Sequence, residues 1–184
     1  MWKNFCNWLL YKRMGWTAEV TEDHPDKFII CLAPHTSNWD FLIGQLYIGA
    51  KGMQSNFLMK KEWFFWPFGI LFRRMGGIPV HRQKHTSMTD SMAETAKAAK
   101  TFHLCITPEG TRAKNYEWKK GFYFIALKAG LPILLYGIDY EKKHIQCTKT
   151  IIPSGDLETD MREIKLYFKD FKGKKPENFT IGEV

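Results

Sequence analysis

Long apolar runs, which a membrane-spanning helix requires, are missing from this sequence. The longest uncharged and strongly apolar stretch runs from Trp63 to Phe72, whereas a spanning helix needs about 18 apolar residues or more. Residues 1–14 do not have the form of a signal peptide, because Lys12 and Arg13 interrupt the apolar stretch and no small-residue cleavage site follows. We therefore expect a chain that does not cross a bilayer, although parts of it can lie on one.

Several motifs of known chemistry are missing as well. There is no G-x-S-x-G nucleophile motif, no phosphate-binding loop ending in Gly-Lys-Ser/Thr and no G-x-G-x-x-G. His81 and His85 have no third ligand nearby, so we expect no metal site. We also expect no bound cofactor. No C-x-x-C pair occurs, which favours buried free thiols in a reducing compartment. The cysteines are Cys6, Cys31, Cys105 and Cys147.

Positive charge and aromatic residues stand out among what is present. The 184 residues hold 27 Lys and Arg against 19 Asp and Glu, a net charge of +8, and 15% of them are aromatic. Such a chain favours an anionic partner: nucleic acid, a phosphate-bearing substrate or an acidic membrane surface. Because no nucleic-acid-binding motif is present, we expect no nucleic-acid partner, and a basic nucleic-acid module is kept only as a competing hypothesis.

Two aromatic segments are candidates for contact with a membrane surface. In residues 1–14, a helix would place Trp2, Phe5 and Leu9 on one stripe, which suits either an interfacial amphipathic helix or an ordinary terminal helix packed on the core. The second segment, Trp63 to Phe72, is too aromatic for an ordinary surface helix. We expect the core to cover part of it and the rest to form an exposed patch for a lipid or an acyl chain.

Short apolar runs alternate with helical patterns along the chain. This alternation predicts an α/β sandwich in which helices flank a central, mixed but largely parallel sheet. No repeat, linker or break in composition is present, so we expect a single domain over residues 1–184. The helix that begins near Ser37 or Asn38 is apolar nearly all round and should be buried. The predicted strands are 28–33, 56–60, 78–82, 102–107, 131–138 and 144–152, and the predicted helices are 39–50, 86–100, 121–129 and 156–171.

A histidine and an aspartate follow the first of these strands at a spacing that suits acid–base chemistry. His35 lies in the loop after the strand, and Asp40 lies in the first turn of the next helix. The carboxylate can fold back onto the imidazole, fix its tautomer and raise its basicity, so His35 is a candidate general base and Asp40 its partner. The alternative is an ordinary helix-capping aspartate beside an unrelated histidine.

Two further blocks carry groups that bind anions. In residues 107–112, which follow another strand, Gly110 permits a tight turn with exposed N–H groups and Arg112 supplies a fork suited to phosphate. The alternative for this block is a plain turn. Arg82 also follows a strand. Because ligands bind at the carboxyl ends of parallel strands, we predict that His35, Arg82 and Arg112 form one site, a base beside two guanidinium groups.

These blocks, in this order, resemble the glycerolipid acyltransferase family, typified by the bacterial 1-acylglycerol-3-phosphate acyltransferases. The resemblance covers about residues 28–138, but Pro34 and His81 stand where the family usually has Asn and Asp. The family pattern is H-x-x-x-x-D, a Gly…Arg block, P-E-G-T-R and a proline-containing apolar block. The similar segments here are His35–Asp40, Gly77–Arg82, Pro108–Arg112 and Leu131–Ile133.

The resemblance implies a glycerolphosphate-acyltransferase-like fold and acyl transfer from acyl-CoA or acyl-carrier protein to a lysophospholipid hydroxyl in phospholipid biosynthesis. The favoured acceptor is 1-acylglycerol-3-phosphate. The alternative acceptors are an amino-acid lipid and glycerol phosphate. The alternative function is that of a non-catalytic lipid-binding protein at the membrane surface. The expected location is cytoplasmic, peripheral on the anionic inner face of the cell membrane. His35 and Asp40 are then catalytic, and the implied acceptor-binding residues are Lys61, Arg82, Glu109, Gly110, Thr111 and Arg112.

Overall fold

An eight-stranded sheet forms the centre of the fold in the computed structural model, which describes residues 1–80 and 85–184. Its strands are β1 (Thr17–Val20), β2 (Lys27–Ala33), β3 (Asn56–Lys60), β4 (Gly77–Val80), β5 (Phe102–Ile106), β6 (Ile133–Asp139), β7 (His144–Cys147) and β8 (Thr150–Ile151). Their order is β1-β7-β6-β2-β5-β3-β4, and β8 also pairs with β6. From β6 to β4 the strands are parallel, whereas β7 and β8 run antiparallel to β6. The predicted mixed, largely parallel sheet is confirmed.

The helices begin and end where local signals place them. Ser37 caps its helix with its side chain, Asp156 does the same for another, and Gly130 ends a third in a left-handed conformation at φ 65°. No helix in the described part of the chain is both long and apolar enough to span a membrane. The helices are α1 (Trp2–Asn7, continued by a π-helical turn over Trp8–Arg13), α2 (Asn38–Lys51), α3 (Phe68–Arg74), α4 (His85–Ala98), α5 (Gly121–Ala129) and α6 (Leu157–Tyr167).

Helices cover both faces of the sheet. Along β2, Phe28 and Ile30 belong to the core shared with α1 and α2, whereas Ile29 and Cys31 belong to the core shared with α4, α5 and α6. This alternation follows from the period of two in a strand. Burial of each large apolar side chain stabilises the fold by about 1.5 to 3 kcal/mol. β2 is therefore held from both sides, and its carboxyl end is a fixed point from which the next loop starts.

The antiparallel edge of the sheet differs from the prediction. Residues 144–152 were predicted as one strand but form two, β7 and β8, which both pair with β6. Between the two paired segments, the β7–β8 side has one more residue than β6. That extra residue makes a β-bulge, which breaks the ladder locally. β1 was not predicted, because its residues alternate between exposed and half-buried positions and give only a weak apolar signal.

Three helical predictions also need correction. α2 buries Ile43 and Leu46, but Trp39 is 52% exposed and Leu42 is 42% exposed, so the expectation of full burial was wrong. The outer side of α2 faces solvent even though it is apolar. The aromatic segment contains a helix that was not predicted, α3, with most of its apolar side chains exposed. α6 ends at Tyr167, four residues early, and the chain after it packs Phe171 against Gly137.

Candidate functional site

Three loops leave the carboxyl edge of the sheet side by side, because β6, β2 and β5 are parallel neighbours. The loop after β2 leads directly into α2, the loop after β5 runs to α5, and β6 is followed by Tyr140 and the turn to β7. Neighbouring strands are about 4.8 Å apart, so side chains from the three loops can contact one another. This edge is where the sequence predicts the site.

Asp40 is the buried centre of the loop after β2. Its side chain is 0% exposed, and its Oδ2 accepts the backbone N–H groups of Thr36 and Ser37, both at 2.8 Å. The Ser37 hydroxyl oxygen in turn accepts the N–H of Trp39 at 3.2 Å. Together these bonds form a capping box at the start of α2. The alternative considered from sequence, a capping aspartate, is therefore correct as a description of the backbone.

The same carboxylate also faces the histidine. Nδ1 of His35 lies 3.2 Å from Oδ2 of Asp40, although the contact is not aligned as a hydrogen bond. Nδ1 is buried, whereas the side chain as a whole is 22% exposed. The exposed part of the side chain therefore lies away from Nδ1. Capping and pairing are not exclusive here, because Asp40 does both.

Glu109 reaches the histidine loop from the loop after β5. It is 4% exposed, and its Oε1 accepts the backbone N–H of His35 at 2.8 Å. The side-chain amide of Asn115 donates to the Glu109 carbonyl at 2.8 Å and holds the loop in shape. Burial raises the pKa of Glu109 to about 7, even though hydrogen bonds from backbone N–H groups work in the opposite direction. In this structure the carboxyl contacts protein groups and positions His35.

The next three residues form an exposed turn. Gly110 has φ 66°, a conformation that favours glycine, and its N–H donates to Thr107 at 3.1 Å. Thr111 and Arg112 are exposed, and the Thr111 hydroxyl accepts the N–H of Ala113 at 3.2 Å. Within the described part of the chain, the Arg112 guanidinium has no hydrogen-bond or ion-pair partner. It is free to take a ligand next to the loop that holds His35.

The other two predicted acceptor-binding residues lie farther along the edge or outside the described residues. Lys61 is exposed and follows β3, which is two strands from β2 and therefore roughly 10 Å away at the usual strand spacing. Arg82, the second predicted guanidinium, lies outside the described residues. The described part of the site therefore brings His35, Asp40 and the 109–112 turn together, with Lys61 at the periphery.

Tyr140 is a residue of this site that the sequence analysis missed. Its hydroxyl and Oδ1 of Asp40 are both buried and have no hydrogen-bond partner among the described residues. Burial raises the pKa of Tyr140, and the negative charge of Asp40 raises it further. The hydroxyl therefore faces the carboxylate from the end of β6. Only the adjacency of β6 and β2 could have indicated this contact, and no local motif marks it.

The segment after α6 crosses the same edge. The N–H of Tyr140 donates to the Lys172 carbonyl at 2.8 Å, and the Thr36 hydroxyl accepts the N–H of Lys175 at 3.1 Å. Gly173 lies so close to the loop that an added Cβ would be 2.7 Å from the Thr36 hydroxyl oxygen. This segment holds the loops after β6 and β2 together, and sequence patterns did not reveal it.

A model of the acyltransferase family matches residues 17–138, which include both the His35–Asp40 loop and the 109–112 turn. The chain belongs to the acyltransferase family. Tyr140 and the segment after α6 lie beyond the matched residues. The expectation drawn from the sequence motifs is thus confirmed at the level of the family and of its fold.

Individual relatives agree with this assignment. The chain is 37% identical over 112 residues to a 1-acyl-sn-glycerol-3-phosphate acyltransferase of Cocos nucifera, covering 57% of this chain and 35% of the relative. It is 31% identical over 120 residues to one of Limnanthes douglasii, covering 61% and 41% respectively. The chain thus spans well under half the length of these curated relatives.

A solved structure shows the same fold. The crystal structure of the 1-acyl-sn-glycerophosphate (LPA) acyltransferase PlsC from Thermotoga maritima superposes with a TM-score of 0.63. The match covers 91% of this chain and 75% of that protein, at 21% sequence identity. At this identity the similarity concerns the fold.

Proposed function

We propose that this protein transfers a fatty acyl group from acyl-CoA or acyl-carrier protein to the hydroxyl of a lysophospholipid, as a step of phospholipid biosynthesis. The observation that carries the proposal is the His35–Asp40 pair, with Nδ1 buried at 3.2 Å from the carboxylate and the rest of the ring partly exposed. The relatives' names support 1-acylglycerol-3-phosphate as the acceptor.

The proposed reaction is direct transfer without an acyl-enzyme. Nε2 of His35 takes the proton of the acceptor hydroxyl as its oxygen attacks the thioester carbonyl carbon. The new C–O bond forms a tetrahedral oxyanion, whose collapse breaks the C–S bond. The departing thiolate takes the proton back from the imidazolium. Asp40 stabilises that imidazolium and does not need to accept the proton.

The oxyanion needs hydrogen-bond donors near the thioester carbonyl. At the start of α2 most N–H groups are already used: those of His35, Thr36, Ser37 and Trp39 donate to side chains of the site itself. The turn after Glu109 is better suited, because the backbone N–H groups of residues 111 and 112 have no partner among the described residues. We assign oxyanion stabilisation to that turn.

Phosphate binding is assigned to Arg112, with Gly110 and Thr111 shaping the turn beside it. Arg112 is exposed next to the histidine loop, and its planar fork suits a phosphate. Lys61 and Arg82 are proposed to contact the same acceptor from the strands farther along the edge. Glu109 is a positioning residue in this scheme, because its carboxyl contacts the His35 backbone.

The acceptor assignment is tested with the purified protein and labelled acyl-CoA or acyl-carrier protein. Product formation is measured with 1-acylglycerol-3-phosphate, glycerol phosphate and a lysine- or glycine-type amino-acid lipid, and monoacylglycerol serves as the matched acceptor without a phosphate. We expect the largest kcat/KM with 1-acylglycerol-3-phosphate. A preference for an amino-acid lipid or glycerol phosphate would change the acceptor, and no transfer to any acceptor would contradict the proposed function.

We also propose that the protein works as a peripheral protein on the anionic inner face of the cell membrane. Its net charge is +8, and two groups of large apolar side chains are exposed. They suit insertion at the headgroup boundary, with lysines and arginines on the lipid phosphates. The first group is Trp2, Phe5 and Trp8, and the second is Trp63, Phe65, Trp66, Phe68, Ile70 and Leu71.

Vesicle binding tests this surface. Trp66 is 82% exposed, and Ile152, also apolar and 70% exposed, belongs to neither group. Trp66→Ser should weaken binding to phosphatidylglycerol vesicles by about tenfold, since it removes a large apolar side chain from the interface. Ile152→Ser should leave binding unchanged. The proposal would be contradicted if the affinity for vesicles did not change with salt, with lipid charge or with either substitution.

A further inference from the structure

A cavity of about 780 Å³ opens beside the catalytic loop. Its walls come from the end of the N-terminal helix, from α2, from the turn after β6 and from the segment after α6. A cavity of this size falls in the range of small-molecule sites. It lies on the β6 side of the histidine loop, whereas the 109–112 turn lies on the β5 side.

Four cationic side chains line this cavity, against one acidic side chain, Glu141. Within the described chain, none of the four forms an ion pair with a carboxylate. The ammonium of Lys143 donates to the Met14 carbonyl at 3.2 Å, which does not neutralise its charge. Cations without a carboxylate partner, gathered around a concave surface, favour a ligand with more than one negative charge. The four residues are Arg13, Lys143, Lys172 and Lys174.

The cavity also has aromatic walls that lead to the catalytic pair. Trp39, next to Asp40 in the chain, and Tyr140, whose hydroxyl faces Asp40, both line it. The ammonium of Lys174 lies 5.6 Å from the centre of the Tyr140 ring. A ligand in the cavity therefore contacts side chains adjacent to the catalytic pair without covering the imidazole.

We propose that this cavity binds the phosphate-bearing part of the acyl donor, the phosphopantetheine phosphate and, in coenzyme A, its nucleotide phosphates. This inference rests on the proposed acyl transfer. A transferase that joins two phosphate-bearing substrates needs two anion sites, and Arg112 on the β5 side is assigned to the acceptor. In the donor, the pantetheine arm separates the thioester from the phosphate, so its anion site should lie beside the base and not at it.

Charge reversal with a matched control tests the assignment. The variant Lys172→Glu/Lys174→Glu changes two exposed lysines of the cavity. The variant Lys97→Glu/Lys100→Glu makes the same change in net charge near the start of β5, at the amino ends of the parallel strands. KM is measured for acyl-CoA, for acyl-carrier protein, for an acyl-N-acetylcysteamine thioester that lacks phosphate, and for the acceptor. Binding of free coenzyme A is measured by calorimetry, which needs no turnover.

The cavity variant should raise KM for the phosphate-bearing donors by roughly tenfold, because it replaces two ion pairs with repulsions. KM for the phosphate-free thioester and for the acceptor should not change, and the control variant should behave like the wild type. An effect on acyl-CoA alone identifies the nucleotide phosphates as the ligand, and equal effects on both donors identify the phosphopantetheine phosphate that they share. An effect on acyl-carrier protein alone points to the carrier protein's own surface and would overturn the assignment to a phosphate.

Three other results would overturn the inference: a rise in KM for the acceptor alone, a loss confined to vesicle binding, or equal effects of both variants. The inference and the proposed function can fail separately. Normal transfer with an unaffected cavity variant removes the inference and leaves the function. Coenzyme A binding that depends on Lys172 and Lys174, in a protein that transfers to no acceptor, removes the function and leaves the binding site.

Discussion

The loop after β2 and the loop after β5 each bury one carboxyl group, but they surround it differently. Asp40 is 0% exposed, and one of its oxygens receives two N–H groups from residues three and four positions away. Glu109 is 4% exposed, and its Oε1 accepts the N–H of His35, which is 74 residues away. In both groups the other oxygen is buried and has no hydrogen-bond partner in the described part of the chain.

Because their surroundings differ, Asp40 and Glu109 are suited to different roles. The two N–H groups hold the Asp40 carboxylate in place, with Oδ2 at 3.2 Å from Nδ1 of His35, so Asp40 is positioned to face an imidazolium. Burial raises the pKa of Glu109 to about 7 against the opposing effect of backbone hydrogen bonds, so its carboxyl exchanges a proton near neutral pH. The first loop therefore carries the charge for the reaction, and the second loop holds the first in place and presents Arg112.

Removal of the proposed base, His35, should lower the rate more than any other change in the two loops. His35→Ala should lower kcat by about 10² to 10⁴-fold, the usual contribution of a positioned general base. The fold should persist, because the side chain is partly exposed. The kcat and a thermal melt of the same preparation check this. Near-normal transfer would show that another group takes the hydroxyl proton.

Asp40→Asn should have the next largest effect. The amide oxygen can still accept N–H groups at the helix start, but the charge that faces the imidazolium is gone, so we expect kcat to fall by about 10²-fold or more. Because asparagine keeps the cap, stability should fall by less than the ~1 kcal/mol that loss of a cap costs. Rates and urea unfolding measured together separate the two roles. A loss of stability with an unchanged kcat would reduce Asp40 to a helix cap.

Arg112→Ala tests the acceptor side of the second loop. Loss of a charged hydrogen bond to phosphate costs about 1.5 to 3 kcal/mol, so KM for a phosphorylated acceptor should rise by about 10- to 100-fold. KM for the acyl donor should stay the same, and Arg112→Lys should recover only part of the loss. Initial rates with both substrates varied provide the check. An equal rise in both KM values would contradict the assignment to the acceptor.

Glu109→Gln should have the smallest effect on the rate and a clear effect on how stability depends on pH. The raised pKa of Glu109 means that the folded protein holds this proton more tightly than the unfolded chain, so its contribution to stability falls as pH rises toward and through about 7. Between pH 5 and pH 8 the wild type should lose about 2 to 3 kcal/mol from this group.

Glutamine keeps an oxygen for the His35 N–H and does not ionise, so the variant should lack that part of the loss. Urea unfolding of both proteins at pH 5 and pH 8 measures it. Parallel pH profiles of stability for the wild type and Glu109→Gln would show that the buried carboxyl does not titrate in this range.

Interactions within a few residues were predictable. Asp40 was expected to fold back on His35 and Ser37 to cap the helix, and both contacts occur. Gly130 was expected to end α5, and it does so in a left-handed conformation. The weakly apolar β1 and the bulge between β7 and β8 were not predicted, because an edge strand and an extra residue leave little trace in an apolar pattern.

The remaining site contacts join strands that are distant in sequence. Nothing near Tyr140 marks it as a neighbour of Asp40, and nothing near Glu109 indicates that its carboxyl accepts the N–H of His35. The expectation that Glu109 binds the acceptor stays a prediction. α2 was expected to be buried because it is apolar, but Trp39 lines an open cavity. Such outcomes depend on which strands lie side by side and which helix covers them.

The sequence alone determined the alternation of strands and helices, the local closure of the loop from His35 to Asp40, and the family, because these depend on residue type and short spacing. Only the tertiary structure decided that Glu109 supports the histidine, that Tyr140 faces the aspartate, and that four cations from three separate segments surround one cavity. The order of β6, β2 and β5 brings those groups together, and that order is set by packing across the whole sheet.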